Sequence, residues 1–284
     1  MVTATAPPKP PPPAPPRASS PPTASSTPTS KRSFNVTSGV QKGAEKIVIY
    51  GPGGIGKSEL WSLLQQVGIK PLCLDIGASS KKLDVSRIDD ITTWEELREA
   101  LHSDSLWDGV GAVVIDDLTK AEELATDCVI RTIKHPKGKP ITGIEDYGWG
   151  EGYTHVYEKM LLLINDLDRH IRAGRHVIGI CHECTANAPN PGGEDWLRFE
   201  PRLSSPKSGK ASVRNRVKEW CDYLLFIGYD VASEAGKGKG CGSRAVYTTE
   251  MPTHWAKRRT PMDDVIVYQQ GSADLWNQLF SKGE

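Results

Sequence analysis

Residues 46–58 read Lys-Ile-Val-Ile-Tyr-Gly-Pro-Gly-Gly-Ile-Gly-Lys-Ser. A β-branched run, Ile47, Val48 and Ile49, enters a stretch with glycine at 51, 53, 54 and 56 and leaves it through Lys57 and Ser58. This order predicts a buried strand, a backbone curl that glycine permits, and a helix from Lys57 to about Val67. The spacing is G-x-x-x-x-G-K-S. A curl over Gly51, Pro52, Gly53, Gly54, Ile55 and Gly56 turns backbone N–H groups inward, toward phosphate oxygens. Lys57 is then placed to reach the β- and γ-phosphates of a nucleotide, and the Ser58 hydroxyl to ligate its Mg²⁺. The positive end of the helix adds to the anion site.

A strand that ends in a carboxylate completes such a site. Val113-Val114-Ile115-Asp116 has that form, and Asp116 is the candidate to hold Mg²⁺ opposite Ser58. Three side chains are candidates to orient the attacking water: Asp117, directly after Asp116; Asp75, at the end of a second strand; and His182, at the end of a fourth. Strand-end polar residues also serve to satisfy loop backbone, so the sequence leaves the three open.

The chain has 284 residues. Residues 1–30 hold 11 of the 21 prolines, with many Ser, Thr and Ala and no acid, a composition that cannot bury enough apolar surface to offset its ordering entropy. Residues 1–43 are therefore expected to form a disordered Pro/Ser/Thr-rich tail without the apolar core of a secretion signal, and residues 44–284 a single α/β domain. Overall charge is balanced at 35 basic and 35 acidic residues; the tail through Arg32 carries four bases and no acid, so the rest is net −4. Nucleic-acid contact would have to come from a local basic patch. No apolar run approaches a membrane span. The six cysteines are 73, 128, 181, 184, 221 and 241. Cys181-His182-Glu183-Cys184 has C-x-x-C spacing, but a structural zinc site needs four ligands and no second pair follows. Reduced cysteines and a cytoplasmic location are expected.

Apolar strand runs alternate with helical patterns along the rest of the chain. Expected strands are 47–50, 71–76, 112–116, 176–180, 223–227, 245–249 and 265–268. Expected helices are 94–101 (capped by Thr92 or Thr93), 120–133, a long amphipathic one carrying Val156, Met160, Leu163, Ile164, Leu167 and Ile171, then 213–220 and 274–280. Continuous apolar strands between helices argue a mostly parallel twisted sheet with helices on both faces. Residues 134–152 and 184–210 read as long functional loops.

These parts, with Asp146-Tyr147-Gly148, Trp220-Cys221-Asp222-Tyr223 and Ala256-Lys257-Arg258, resemble the phage-encoded RecA-core ATPases of the single-strand-annealing or recombination type. The resemblance spans about residues 44–268. It implies a RecA-like P-loop NTPase fold, ATP with Mg²⁺, single-stranded DNA as partner, a ring or filament of identical subunits, other replication partners such as a single-strand-binding protein, and a role in phage recombination or replication in the host cytoplasm. One departure matters: the catalytic Glu that such enzymes carry two residues beyond the second-strand Asp is here Gly77. Slow turnover, or turnover through Asp117 or Asp75, is expected. Arg258 in Trp255-Ala256-Lys257-Arg258-Arg259 is the candidate basic residue donated to a neighbouring subunit's site.

Residues 202–218 contain Arg202, Lys207, Lys210, Arg214, Arg216 and Lys218 and no acid. Lys207, Lys210, Arg214 and Arg216 are the candidate DNA contacts, with Trp196, Phe199, Tyr147, Trp149 and Tyr153 as aromatic neighbours for stacking. Two other functions compete with a DNA-dependent ATPase. A small-molecule kinase needs an arginine-bearing lid near the P-loop, and the bases here cluster late in the chain. A nucleotide-gated binding module or helicase loader with little turnover is favoured by Gly77.

Overall fold

The computed structural model describes residues 36–39, 41, 43–207, 210–234 and 237–280. The expected tail therefore lies almost wholly outside the described residues, and so does the side chain of Cys241. The chain divides into Met1–Gln41 and Lys42–Glu284. In the first unit, residues 36–39 and 41 contain no helix or strand. The second holds the whole α/β fold.

Its strands are β1 (Lys46–Gly51), β2 (Pro71–Asp75), β3 (Ser86–Ile88), β4 (Ala112–Asp116), β5 (His176–Ala188), β6 (Trp196–Pro201), β7 (Tyr223–Glu234), β8 (Lys237–Tyr247) and β9 (Val265–Tyr268). Its helices are α1 (Lys57–Ser62), α2 (Trp94–His102), α3 (Leu118–Thr132), α4 (Glu151–Arg172), α5 (Val213–Trp220) and α6 (Asp274–Phe280). The sheet runs β3-β2-β4-β5-β1-β7-β8-β9, with β6 paired to β5 alone. From β3 to β7 all neighbours are parallel; β8 and β9 add on antiparallel.

Both faces of the parallel strands are covered, which is why they read as unbroken apolar runs. Val48 and Tyr50 of β1 join the core under α2, α3, α4 and α5. Ile47 and Ile49 join the opposite core, with Trp61 of α1 and Trp276 of α6. Local signals set the helix starts. Thr93, not Thr92, caps α2, in a reciprocal box with Glu96. Asp117 caps α3 by accepting from Lys120 N–H at 2.7 Å. Helix α1 is short, and the chain continues as a 3₁₀ turn over Leu63–Val67.

One expectation fails. Residues 184–210 are not a long loop: β5 continues to Ala188 and pairs antiparallel with β6, from Ala188 opposite Trp196 to Glu183 opposite Pro201. The polar look of this segment comes from paired charges. Glu200 is buried between Arg198 and Arg214, with N–O distances of 2.7 Å to each.

Candidate functional site

β1 delivers the glycine curl at the C-terminal edge of the sheet. Gly51 is required by close approach to β7, since a Cβ there would lie 2.1 Å from the carbonyl oxygen of Ile227. Gly54 and Gly56 have φ of 75° and 108°, backbone that side chains disfavour. Lys57 is buried and folds back over the curl, donating to the carbonyls of Gly51 (2.8 Å) and Pro52 (2.7 Å). Burial pushes its ammonium below the ordinary lysine range, while Asp116 nearby favours the charged form.

Register places the acid of β4 beside this loop. Ser58 Oγ donates to Asp116 Oδ2 at 2.7 Å, and the indole Nε1 of Trp61 donates to the same oxygen at 2.9 Å. A hydroxyl and a carboxylate side by side are the hard oxygen donors that magnesium prefers. Among the described residues no group of three or more His, Cys, Asp or Glu side chains is placed to hold a metal by itself. Ser58 and Asp116 therefore fit a magnesium ion whose remaining ligands are phosphate and water.

Asp117 and His182 stand together across the same space, His182 Nε2 3.4 Å from Asp117 Oδ2. Burial raises the Asp117 carboxyl and lowers the His182 imidazole. A Cβ at Gly77 would sit 3.4 Å from Asp117 Oδ2, an ordinary contact, so this acid does not require the glycine. The cavity between these groups has a volume of about 680 Å³, walled by Gly54, Gly56, Lys57, Ser58, Asp116, Asp117 and His182. Lys82 and Lys120 also reach its wall. Lys82 lies in the polar run Gly77-Ala-Ser-Ser-Lys-Lys, and nothing in its sequence context distinguishes it.

Asp75 is not part of this wall. It is buried, and both oxygens are taken by the turn after β2: Oδ1 accepts from Ser79 N–H (2.8 Å), and Oδ2 from Ser80 N–H (3.0 Å) and Ser80 Oγ (2.6 Å). Arg258 is likewise held within its own chain, donating to Thr248 Oγ1 at 3.0 Å and pairing with Asp264 at 2.8 Å.

The basic segment separates into two kinds of residue. Lys207 and Lys210 are exposed. Arg214 is a strut that ties Glu200 to the Leu203 carbonyl, and Arg216 is half-buried beside Glu219. Among the aromatics, Tyr147 is buried with its hydroxyl donating to the Val129 and Ile133 carbonyls, and Tyr153 donates to Glu145. Trp149 is fully exposed, at φ 50° between Gly148 and Gly150.

Cys181 is buried with its thiol 3.3 Å from Thr119 Oγ1, and Cys184 lies near the Pro201 carbonyl. No described helix is long and apolar enough to cross a membrane. A family profile described as an AAA domain matches residues 44–260. Among curated proteins, none matches the chain.

Proposed function

The chain belongs to the AAA-domain family, whose members are nucleotide-binding ATPases, and from that premise we propose that it hydrolyses Mg·ATP in the cavity above Lys57 and acts on single-stranded DNA. The observation that carries the nucleotide reading is the convergence of Lys57, Ser58, Asp116, Asp117 and His182, from three segments of the chain, on one 680 Å³ cavity. Lys57 exchanges its loop carbonyls for the β- and γ-phosphates and neutralises them. Ser58 and Asp116 hold the magnesium ion, which when bound supplies further neutralisation of phosphate charge.

Asp117 is the group that holds the attacking water. Its carboxylate takes the proton as the water oxygen bonds to the γ-phosphorus, and the bond to the β-phosphate oxygen breaks to release ADP and phosphate. His182 orients Asp117 from 3.4 Å and lies where it can contact the transferred phosphoryl group. Arg258, engaged with Thr248 and Asp264, takes no part in this scheme.

The DNA role follows the RecA-core resemblance and is supported by exposed Lys207 and Lys210 after β6 and by exposed Trp149. The setting is phage recombination or replication, in annealing or strand exchange, by an oligomer of this chain. The empty carboxylate position at Gly77 favours a second reading, a nucleotide-gated loader with little turnover. ATPase rate with and without single-stranded DNA decides between them, with Lys57→Ala as the control. Stimulated turnover abolished by Lys57→Ala supports the ATPase; tight Mg·ATP binding without turnover supports the loader; turnover unchanged by Lys57→Ala refutes both.

A further inference from the structure

A second cavity, of about 330 Å³, opens on the other side of the P-loop rim. Pro52 forms part of its wall, and the rest comes from β5, β6, β7, β8 and the segment before Trp255. Its surface is a tile of rings. Phe226 lies nearly parallel to Phe199 (13°, centroids 5.3 Å apart), to His254 (21°, 5.1 Å) and to Tyr247 (27°, 5.8 Å). Tyr229 borders the opening and is 51% exposed.

One acid enters this tile. Glu183 follows His182 on β5, so the two side chains project to opposite sides of the strand, His182 into the nucleotide cavity and Glu183 into the ring-lined one. The Oε2 atom of Glu183 is buried without a hydrogen-bond partner. Burial raises its carboxyl, as expected for an acid lacking a donor. A buried acceptor left unmade is costly, and it calls for a donor that completes it.

Parallel ring faces and a carboxylate acceptor, with no lysine or arginine in the wall, describe the complement of a planar heterocycle bearing an amino group. We propose that this cavity takes one unstacked amino-bearing base of a bound single strand, with the base face against the Phe199–Phe226 tile and its amino N–H donating to Glu183. The inference rests on the single-strand reading above. The chain itself argues for a base over a guanidinium from a protein partner. The strand that lines the cavity runs on into Arg202, whose N–H donates to the His182 carbonyl at 2.8 Å, and then to exposed Lys207 and Lys210, which can follow the backbone phosphates. Because Pro52 and Glu183 border this cavity while Gly54 and His182 border the other, a base seated here presses on the rim of the nucleotide site.

The test uses the full chain and short single strands carrying 2-aminopurine, read by fluorescence, beside all-cytosine, all-adenine and all-thymine strands. The wild type is expected to quench 2-aminopurine and to bind amino-bearing strands more tightly than thymine. Phe199→Leu and Tyr229→Ala, both at exposed positions, are expected to lose the quench and weaken binding by about 5- to 100-fold. Glu183→Met is expected to erase the preference over thymine while single-strand binding itself is retained. Quench and base preference that persist in all three variants overturn the base site but leave single-strand binding standing. Displacement of the strand by an arginine-rich peptide that needs Glu183 assigns the cavity to a protein partner and overturns it too. A wild type that binds no single strand overturns both readings.

Discussion

Trp61 and Asp116 meet beneath the nucleotide cavity, where the buried indole Nε1 donates at 2.9 Å to the same carboxylate oxygen that receives Ser58 Oγ. The oxygen assigned to the magnesium side is thus aimed by a tryptophan whose ring packs in the core beside α6. Trp61→Phe keeps most of the packing and deletes the donor. A hydrogen bond to a charged group contributes about 1.5–3 kcal/mol, and chemical denaturation should show a loss of that order. The magnesium concentration needed for half-maximal nucleotide binding should rise as well. An unchanged magnesium titration would mean that the indole serves packing alone.

In the proposed scheme Asp117 and His182 divide the remaining chemistry. Asp117→Asn keeps an acceptor for Lys120 N–H, and so keeps the cap of α3, but cannot take a proton. Turnover should fall by about 10²- to 10⁴-fold with Mg·ATP affinity retained. Equal losses in binding and turnover, measured by calorimetry and phosphate release, would place Asp117 in nucleotide binding and not in proton transfer.

Two glycines of the P-loop differ in what they do. At Gly51 a Cβ would lie 2.1 Å from the Ile227 carbonyl oxygen, so Gly51→Ala must part β1 from β7. Such overpacking costs about 1–3 kcal/mol or more. At Gly53 no atom stands within 4 Å of the added carbon. Gly53→Ala should stay within about 0.5 kcal/mol of the wild type. Thermal melts of the pair check the contrast, and equal losses would contradict it.

What could be read in the sequence was what local chemistry encodes. The P-loop, the β4 carboxylate and the β–α alternation each depend on a few contiguous residues, and all appear where expected. The β5–β6 hairpin did not, because β6 turns Arg198 and Glu200 inward and Leu197 and Phe199 outward, and the buried Glu200 is neutralised by Arg214, 14 positions away. For the same reason Arg214 looked like a phosphate contact and Tyr147 like a stacking residue. Each is bound within the fold by partners that only tertiary structure brings near. The polar role of Trp61 depends on how β4 sits against α1, which no local pattern encodes. Glu183 sits inside the Cys181–Cys184 spacing, and only the pairing of β5 with β6 shows what it faces.

The division within the basic segment is measurable. Lys207→Ala and Lys210→Ala should each lower the salt dependence of single-strand binding by about 0.7 in log–log slope, the share of one phosphate contact. Arg214→Ala should leave that slope unchanged and instead destabilise the hairpin by up to about 3–5 kcal/mol, the cost of removing one partner of a buried pair, less what Arg198 still supplies to Glu200. A slope that falls with Arg214→Ala, at unchanged stability, would return that residue to the DNA surface.

His170 gives the fold a calculable response to acid. It is buried between α4 and the end of α2, with its ring edge-on to Trp107 at 4.5 Å. Nδ1 accepts from Arg175 Nε at 3.0 Å, which leaves Nε2–H to donate to the Leu101 carbonyl at 3.0 Å. That pattern is the neutral tautomer, and burial pushes the imidazole down from 6.5 to about 4. The folded value lies below the unfolded one, so folding releases a proton in this range. The contribution is fully present above pH 6.5 and is lost as pH falls toward 4. Burial lowers His176, His182 and His254 in the same direction, so the total acid response is not that of His170 alone. The measurement is therefore a difference. His170→Phe should melt below the wild type at pH 7, where the Leu101 carbonyl and Arg175 lose their partner. The gap between the two melting temperatures should narrow between pH 6.5 and 4, because only the wild type must then protonate a buried ring. A gap that stays constant across that window would show that His170 already carries its proton in the folded protein.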